Sequence, residues 1–352
     1  MTKYKKNKIN LDIDYKFEPF YSFNKNKIHL QLTRGCPKTC SYCSIKLVSG
    51  NKIRYSDYKE LYFLKNIFNP ESKILFDIED DNISINKDYL KQVIIYLKNM
   101  FNKCSFVFEN GIDFTTLDDN LIDFLYNNNI IQWNISLTSI NTNILFEKRR
   151  FYNLEKFENV LKKINKTNLP IIVYFIAGLI NDTIENILKT ILYLSEKRVI
   201  LGISPFYPIP NTNEAKLINN NLLPILTKGT SFYQWGNITT KQLITFFILC
   251  RFINTIKKIK IEEFENNNII NNKYKINQLS RRELSIIGII YSFKKNNIVF
   301  FNNNYDLIEP SLDNSIINMF FENIFKNRYI LNNQNIKLDK YFWEKLCKNT
   351  FQ

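Results

Sequence analysis

Histidine is nearly missing from this sequence, since His29 is the only one among 352 residues. A single histidine excludes His-based catalytic triads, HExxH zinc sites and metal centres with several histidine ligands. Cysteine is scarce too, and three of the six cysteines, Cys104, Cys250 and Cys347, stand far apart. Because an iron–sulfur cluster normally needs three or four cysteines, we expect these three to bind no metal.

Long apolar runs are missing as well. The longest apolar stretch, residues 169–180, is too short to cross a bilayer and fits a buried strand instead. Residues 1–8 are polar and no apolar run follows them, which is unlike a secretory signal peptide. We therefore expect a cytoplasmic protein without a membrane partner, in a compartment that keeps thiols reduced.

The formal charge of +15 is compatible with a nucleic-acid partner. However, most basic residues are lysines scattered among asparagine and isoleucine. Nucleic-acid surfaces tend to cluster their charge and to use arginine for bidentate contacts. AT-rich coding would give the same composition without any binding role, so the charge is weak evidence for such a partner.

Three cysteines in one short loop are the most informative feature of the chain. Cys36, Cys40 and Cys43 have the spacing C-x3-C-x2-C and follow an apolar, strand-like run at 28–32. Three thiolates on one loop can hold three corners of a [4Fe–4S] cluster and leave the fourth iron without a protein ligand. A zinc site is an alternative, although zinc prefers four ligands and no second C-x2-C pair exists. Plain structural thiols are the other alternative.

Strand-like and helix-like segments alternate from residue 28 onward. We expect strands at 28–32, 73–78, 105–108, 131–137, 171–177 and 199–204. We expect helices at 55–68, 87–101, 119–126, 141–146, 154–164 and 184–194. Such repeats predict right-handed crossovers and a parallel sheet, in an α/β fold that forms a partial (β/α)6 TIM-like barrel. Chemistry in such folds lies at the C-terminal ends of the strands, where Gly35, Gly111 and Gly178 fall.

Composition divides the chain into four parts. Residues 1–26 are an N-terminal extension, 27–210 the core barrel, 211–261 a connecting loop with an amphipathic helix at 239–258, and 280–352 a C-terminal α+β unit. The Asn-rich segment 262–279 is a candidate linker. Within the C-terminal unit we expect a helix at 282–293 and a hairpin around 302–304, and this unit suggests no function of its own.

The cysteine loop, with Tyr42 directly before the third cysteine, resembles the signature of the radical S-adenosylmethionine (radical SAM) superfamily. The resemblance covers roughly residues 27–210. It implies that SAM binds the open iron and that an electron from the cluster cleaves it to methionine and a 5′-deoxyadenosyl radical, which abstracts hydrogen from a substrate. The cofactor supplies this reactivity, while the protein positions and shields it.

The core looks most similar to that of cobalamin-binding members, yet we expect no cobalamin domain because only 26 residues precede the first strand. Methylthiotransferases and peptide-maturing members fit less well, because they carry further cysteines.

The resemblance also implies SAM contacts at the strand ends. The expected cofactor-binding residues are Tyr42, Asp80, Asp81, Asn110, Ser136, Arg149, Gly178 and Tyr207. Asp80 or Asp81 would receive the SAM amino group, although the run 79–82 departs from the Gly-Gly-Glu form of many members. A helix N-cap is the alternative role for either acid, and a solvated charge pair is the alternative for Arg149 and its neighbour Arg150. No catalytic residue is assigned.

The sequence therefore predicts a radical SAM enzyme with a small-molecule or peptide substrate and an external electron donor of the flavodoxin or ferredoxin type. One alternative is a radical SAM protein that modifies RNA through its basic C-terminal unit. Another is a non-catalytic iron–sulfur electron carrier or sensor, against which the barrel-like pattern argues.

Overall fold

The computed structural model describes residues 17–218, 232–264 and 276–324, and two short strands at 329–331 and 334–336. Cys347, most of the N-terminal extension and the middle of the candidate linker lie outside the described residues. The end of the expected C-terminal unit lies outside them as well.

The described elements alternate between strands and helices along much of the chain. The strands are β1 (Phe20–Asn24), β2 (Lys27–Gln31), β3 (Thr33–Arg34), β4 (Arg54–Tyr55), β5 (Lys73–Ile78), β6 (Lys103–Val107), β7 (Trp133–Thr138), β8 (Ile171–Ala177), β9 (Ile200–Pro205), β10 (Phe300–Phe301), β11 (Leu307–Ile308), β12 (Tyr329–Leu331) and β13 (Gln334–Ile336). The α-helices are α1 (Ile45–Val48), α2 (Lys87–Met100), α3 (Asp119–Asn127), α4 (Thr142–Glu147), α5 (Leu154–Asn165), α6 (Ile184–Ser195), α7 (Asn213–Lys216), α8 (Thr240–Lys257), α9 (Ile261–Phe264), α10 (Arg281–Lys295) and α11 (Asn314–Ile324). Four 3-10 helices lie at Tyr58–Asn66, Ile83–Ile85, Phe114–Thr116 and Ile276–Gln278.

The chain forms two compact units. Unit 1 consists of Met1–Leu137, Leu145–Ile171 and Pro208–Pro224. Unit 2 consists of Thr138–Ile144, Ile172–Tyr207 and Ile225–Gln352.

Unit 1 contains a four-stranded sheet in the order β1-β2-β5-β6. Strands β2, β5 and β6 are parallel, while β1 is antiparallel to β2 at one edge. Two isolated parallel bridges, Phe106 to Ile130 and Ile112 to Ile135, continue the pairing beyond β6.

The two faces of this sheet differ because side chains alternate along each strand. On β2, Ile28 and Leu30 are buried, while His29 on the opposite face is partly exposed. Helix α2 packs on the apolar face with a buried stripe, which the 3.6-residue period of a helix produces. This stripe consists of Leu90, Val93, Ile94, Leu97 and Met100. The Asn86 side chain caps the helix by accepting a hydrogen bond from the Tyr89 amide (3.0 Å).

In unit 2, β8 and β9 pair in parallel over their full length, from Ile172 opposite Ile200 to Ala177 opposite Pro205. Helix α8 begins with a capping box between Thr239 and Gln242. It is tied to β9 because the Asn254 side chain hydrogen-bonds both backbone groups of Leu201, each at 2.9 Å.

Helices α8, α10 and α11 share an apolar core in unit 2. Its aromatic part, which we call the aromatic cluster, consists of Phe252, Phe293, Phe320 and Phe321. Phe320 is fully buried, and its ring lies edge-on to Phe321 at 5.2 Å between centroids.

The predicted α/β class is confirmed, and the sheets of the described residues remain open, as expected for a partial barrel. The hairpin predicted around 302–304 is confirmed by the pairing of β10 with β11. The helix expected at 55–68 is a 3-10 helix at Tyr58–Asn66, and the short strand β4 precedes it. The buried Leu61 and Leu64 lie three residues apart, the spacing at which 3-10 side chains align.

None of the described helices combines the length and the apolarity needed to span a lipid bilayer.

Candidate metal centre and cofactor site

The three-cysteine loop follows the short strand β3 and begins at Gly35. This glycine has a φ of 97°, which residues with a side chain rarely adopt. A Cβ atom there would lie 2.3 Å from the carbonyl oxygen of Lys52. The backbone N–H of Cys36 donates to the carbonyl of Gly50 (3.3 Å). The entry to the loop is therefore a position that only glycine can occupy without strain.

Cys36, Cys40 and Cys43 carry free thiols, and all three are partly exposed. The backbone N–H of Cys43 donates to the carbonyl of Cys40 (3.2 Å), which folds the loop back on itself. Burial raises the pKa of Cys36 and of Cys43, and the nearby thiol of Cys40 acts in the same direction. Binding to iron would replace the proton on each thiol, so these side chains fit a cluster with three protein ligands. Cys104 and Cys250, in contrast, are buried in β6 and α8.

Asp80 fastens the end of β2 to the segment that follows β5. Its Oδ1 accepts hydrogen bonds from the backbone N–H of Leu32 (3.0 Å) and from the backbone N–H and the hydroxyl (2.6 Å) of Thr33. Asp80 is buried, and burial raises its pKa to about 7. The side chain therefore holds the backbone that leads into the cysteine loop.

Asp81 lies at the cysteine loop itself. Its Oδ2 accepts a hydrogen bond from the backbone N–H of Gly35 (3.1 Å), next to Cys36. Burial raises the pKa of Asp81, while the Gly35 hydrogen bond and the charge of Arg34 oppose that rise. Asp81 also interacts electrostatically with Cys43. Of the two acids that the sequence singled out, Asp81 is thus the one beside the cysteines.

A buried aspartate that the sequence analysis missed, Asp113, joins the loops around the cysteines. Its carboxylate pairs with Lys38 of the cysteine loop and makes two contacts of 3.3 Å with the guanidinium of Arg150. The side chain of Asn82 donates to the same carboxylate (3.4 Å) and to the Cys36 sulfur (3.8 Å). Although burial opposes it, Arg150 and Lys38 hold the pKa of Asp113 below its usual range. The sequence feature that could have pointed to Asp113 is its position in the loop after the predicted strand at 105–108.

Two adjacent arginines after α4 have different surroundings. Arg150 is buried, and its guanidinium interacts with the side chains of Cys40 and Tyr42 in addition to Asp113. Arg149 is exposed and has a left-handed backbone with a φ of 53°. The arginine charge beside the cysteines is therefore that of Arg150.

A second buried ion pair, between Lys148 and Glu214, also contacts the cysteine loop. The side chain of Lys148 is 1% exposed and contacts the carboxylates of Glu147 (2.7 Å) and Glu214 (3.1 Å). Glu214 is also buried and accepts a hydrogen bond from the hydroxyl of Ser41 (2.5 Å). The backbone N–H of Ser41, which directly follows Cys40, donates to the carbonyl of Lys148 (3.1 Å). We call Lys38, Asp113, Arg150, Lys148 and Glu214 the loop network.

The other expected cofactor residues of unit 1 lie at different points of its structure. Tyr42 is half-buried beside Arg150. Asn110 is exposed, and its side-chain amide donates to the carbonyl of Glu79 (3.0 Å). Ser136 is half-buried on β7. The structure thus brings Tyr42 and Asp81 to the cysteine loop, and shows no such contact for Asn110 and Ser136.

Gly178 and Tyr207 belong to unit 2. Gly178 ends β8 with a φ of 85°, and a Cβ atom there would lie 2.8 Å from a methyl carbon of Leu243 on α8. The backbone is therefore covered on that side by an apolar side chain. Tyr207 follows β9 and is half-buried.

Comparison with known proteins places the site within a segment that matches a known family. The sequence pattern that defines the radical SAM superfamily matches residues 30–194, which include the three cysteines, Asp81, Asp113 and Arg150. Residues 30–194 thus match the radical SAM superfamily, a family that uses a [4Fe–4S] cluster and SAM.

Two curated relatives belong to different branches of radical SAM chemistry. The chain is 25% identical to the tRNA-2-methylthio-N(6)-dimethylallyladenosine synthase of Buchnera aphidicola, over 81% of this chain and 71% of that protein. It is 26% identical to the bacteriochlorophyllide d C-8(2)-methyltransferase of Chlorobaculum tepidum, over 53% of this chain and 43% of that protein. The chain thus spans less than half of the methyltransferase. The name of the first relative places it in the methylthiotransferase branch. That branch fits the sequence less well, because its members carry further cysteines.

Among solved structures, the chain is similar to methylornithine synthase, with a TM-score of 0.46 and 12% identity over 65% of this chain and 62% of that one. It is also similar to the methyltransferase TsrM from Kitasatospora setae, with a TM-score of 0.44 and 13% identity over 53% of this chain and 38% of that one.

Proposed function

We propose that this protein is a radical SAM enzyme in which Cys36, Cys40 and Cys43 hold a [4Fe–4S] cluster with one open iron. The observation that carries the proposal is the convergence of three partly exposed, free thiols on one loop. That loop has a carboxylate at its start, from Asp81, and a buried guanidinium beside its middle, from Arg150.

The residues around the loop have separate tasks in this proposal. The three thiolates bind iron, and the guanidinium of Arg150 beside Cys40 offsets the negative charge of the bound group. Asp81 accepts a hydrogen bond from the ammonium of the methionine part of SAM. When bound, the cluster and SAM supply the electron and the 5′-deoxyadenosyl radical that abstracts hydrogen from the substrate.

We infer that further SAM contacts come from the remaining expected residues. These are Tyr42, Asp80, Asn110, Ser136, Arg149, Gly178 and Tyr207. The position of Tyr42 directly before the third cysteine supports its place near the adenine. Oδ1 of Asp80 already accepts three hydrogen bonds from Leu32 and Thr33. These bonds favour a role in holding the backbone before the cysteine loop.

The substrate of the proposed enzyme is a small molecule or a peptide, and an external flavodoxin or ferredoxin supplies the electron. A cytoplasmic location is part of the same proposal, because free thiols at the metal centre need a reducing compartment.

A tRNA substrate is the second candidate. It is favoured by the first relative, whose name states that it acts on tRNA, and by the net charge of +15. Adding bulk tRNA to the reconstituted protein should raise the rate of 5′-deoxyadenosine formation if RNA is the substrate, and leave it unchanged if it is not.

Anaerobic reconstitution tests the proposed function. The protein should bind about four irons and four sulfides per chain and, with SAM and a reductant, should release 5′-deoxyadenosine. Cys40→Ala should lose both properties, while the matched control Cys250→Ala should keep them, because Cys250 is buried in α8.

Two outcomes would contradict the proposal. Zinc in place of iron would exclude the cluster. A full cluster that never cleaves SAM would instead support an electron carrier or sensor.

A further inference from the structure

The only histidine of the chain is held by two carboxylates on the sheet of unit 1. Nδ1 of His29 lies 2.9 Å from Oε1 of Glu79 and 3.4 Å from Oδ2 of Asp77. An ionised carboxylate only accepts hydrogen bonds, so Nδ1 carries the ring proton. Within the described residues Nε2 makes no hydrogen bond, and the side chain is 26% exposed. The ring therefore presents an unprotonated nitrogen to its surroundings.

The support behind His29 is buried and cross-linked. The side chain of Asp77 is 0% exposed, and its Oδ1 accepts a hydrogen bond from the backbone N–H of Glu109 (3.0 Å). The ammonium of Lys27 lies 3.0 Å from Oδ2 of Asp77 and 2.8 Å from Oε2 of Glu109. A carboxylate fixed in this way holds an imidazole in one tautomer and one ring orientation.

These side chains lie on the face of the sheet that α2 leaves free. His29 is in register with Asp77, whereas their neighbours Ile28 and Phe76 are in register on the opposite face. There Phe76 packs against Phe101, the residue that ends α2 (5.9 Å between ring centroids). Glu79, the partner of His29, comes two residues before Asp81 and is itself partly exposed. The polar face thus runs along the sheet toward the cysteine loop.

We infer that Nε2 of His29 is the proton-accepting group for the substrate, and that the substrate presents an ammonium or similar cationic N–H group there. In this step the N–H proton moves to Nε2, the electron pair of the broken bond stays on the substrate nitrogen, and Glu79 and Asp77 hold the ring through Nδ1. The inference rests on the proposed function, since it gives that enzyme its substrate class.

The charges around His29 favour a cationic ligand over an anion or a metal ion. The carboxylates of Asp77 and Glu79 lie at Nδ1 of the ring, and the contacts of Lys27 with Asp77 and Glu109 show that carboxylates on this face bind an ammonium. The ligand atoms of His29, Asp77 and Glu79 lie within 4.8 Å of one another, which would also suit a metal ion. However, the ammonium of Lys27 already occupies the buried carboxylate that such an ion would need.

A single histidine makes the first test direct. Full-length protein without a histidine tag, labelled with 15N-histidine, gives the signals of one imidazole. We expect the neutral ring to carry its proton on Nδ1. Glu79→Ala should shift the proton toward Nε2, while the matched control Glu109→Ala should not, because Glu109 contacts Lys27 and not His29. A proton on Nε2 in the unmodified protein would overturn the inference.

Ligand class is tested on the same signals. Methylammonium should shift the Nε2 resonance, and acetate at equal ionic strength should not; a shift with acetate alone, or with neither probe, would overturn the inference.

His29→Gln should also keep the iron content of the reconstituted protein, because the contacts of His29 are with Asp77 and Glu79 and not with the cysteine loop. Loss of iron in this variant would make His29 structural and overturn the inference. Failure of the unmodified protein to bind iron would overturn the proposed function and leave the tautomer result in place.

Discussion

The loop network of unit 1 and the aromatic cluster of unit 2 differ in the kind of side chain that they bury. The loop network buries charged groups, such as Lys148 against Glu214, whereas the aromatic cluster buries rings alone. Apolar burial stabilises a protein by about 25 cal/mol per Å², while a buried ion pair loses most of its attraction to desolvation. The comparison indicates that the aromatic cluster supplies stability, and that the loop network is retained for the position and charge it gives the cysteines.

The buried cation of unit 2, Lys257, sharpens this contrast. Its ammonium donates to the backbone carbonyls of Leu194 (3.0 Å) in the last turn of α6, and of Lys197 (2.7 Å) and Val199 (3.0 Å) beyond it. Burial lowers the pKa of Lys257 to about 7. This charge satisfies the end of a helix, a structural task, whereas the charges of the loop network surround thiols.

The largest expected effect comes from the aromatic cluster. Phe320→Ala should lower the free energy of unfolding by about 3–5 kcal/mol, because a fully buried ring is replaced by a cavity. Urea denaturation measures the change, and the exposed Phe300→Ala is the control. Iron content after reconstitution should stay the same under native conditions. A smaller loss than that of Phe300→Ala would contradict the assignment of stability to this cluster.

Breaking the buried ion pair should come next. Lys148→Met should destabilise the protein by about 3 kcal/mol, because it leaves the carboxylate of Glu214 buried without its cation. The double variant Lys148→Met/Glu214→Leu should recover most of that loss in urea denaturation, since two apolar side chains replace the pair. If the double variant is no more stable than the single one, the pair is needed for stability after all.

The two neighbouring acids should differ in SAM binding. Asp81→Asn should weaken the affinity of the reconstituted protein for SAM on the order of tenfold to a hundredfold, since a charge-assisted hydrogen bond is worth about 1.5–3 kcal/mol. Asp80→Asn should change it less, because Oδ1 of Asp80 already accepts hydrogen bonds from Leu32 and Thr33. Equal effects of the two variants in a SAM titration would argue against this separation.

The smallest expected effect is on the midpoint potential of the cluster, and it distinguishes Arg150 from Arg149. Arg150→Met should lower the midpoint potential of the cluster, because a positive charge beside Cys40 favours the reduced form. We expect the midpoint potential to fall by roughly 60 mV, because this shift for one electron corresponds to a hydrogen bond of about 1.5 kcal/mol. Arg149→Met should leave the potential unchanged, since Arg149 is exposed. Redox titration followed by electron paramagnetic resonance compares the two variants.

Sequence patterns predicted the elements that strong apolar periodicity defines. Strands β5 and β8 have the predicted bounds, and α2 differs by one residue, because apolar runs and the apolar stripe of a helix leave little choice. Strand β1 escaped prediction. All five of its residues are exposed, so the burial pattern that marks an inner strand is missing at this edge.

The site was only partly predictable for a similar reason. The cysteines and Asp81 lie in short motifs, which local spacing reveals. Asp113 and Arg150 are in contact although 37 positions separate them in the sequence. Each of them alone is an ordinary charged residue. Only the fold brings such residues together, so the charge balance around the thiols could not be read from the sequence.

The hydrogen bond from Ser41 to Glu214 also constrains when the site can be completed during synthesis. It joins two residues separated by 173 positions, and Ser41 lies inside the cysteine loop. A ribosome that has made only the cysteines has not yet made the carboxylate that braces them. The nascent loop therefore lacks this hydrogen bond through the whole synthesis of residues 44–213, and the loop network is complete only after Glu214 has left the exit tunnel.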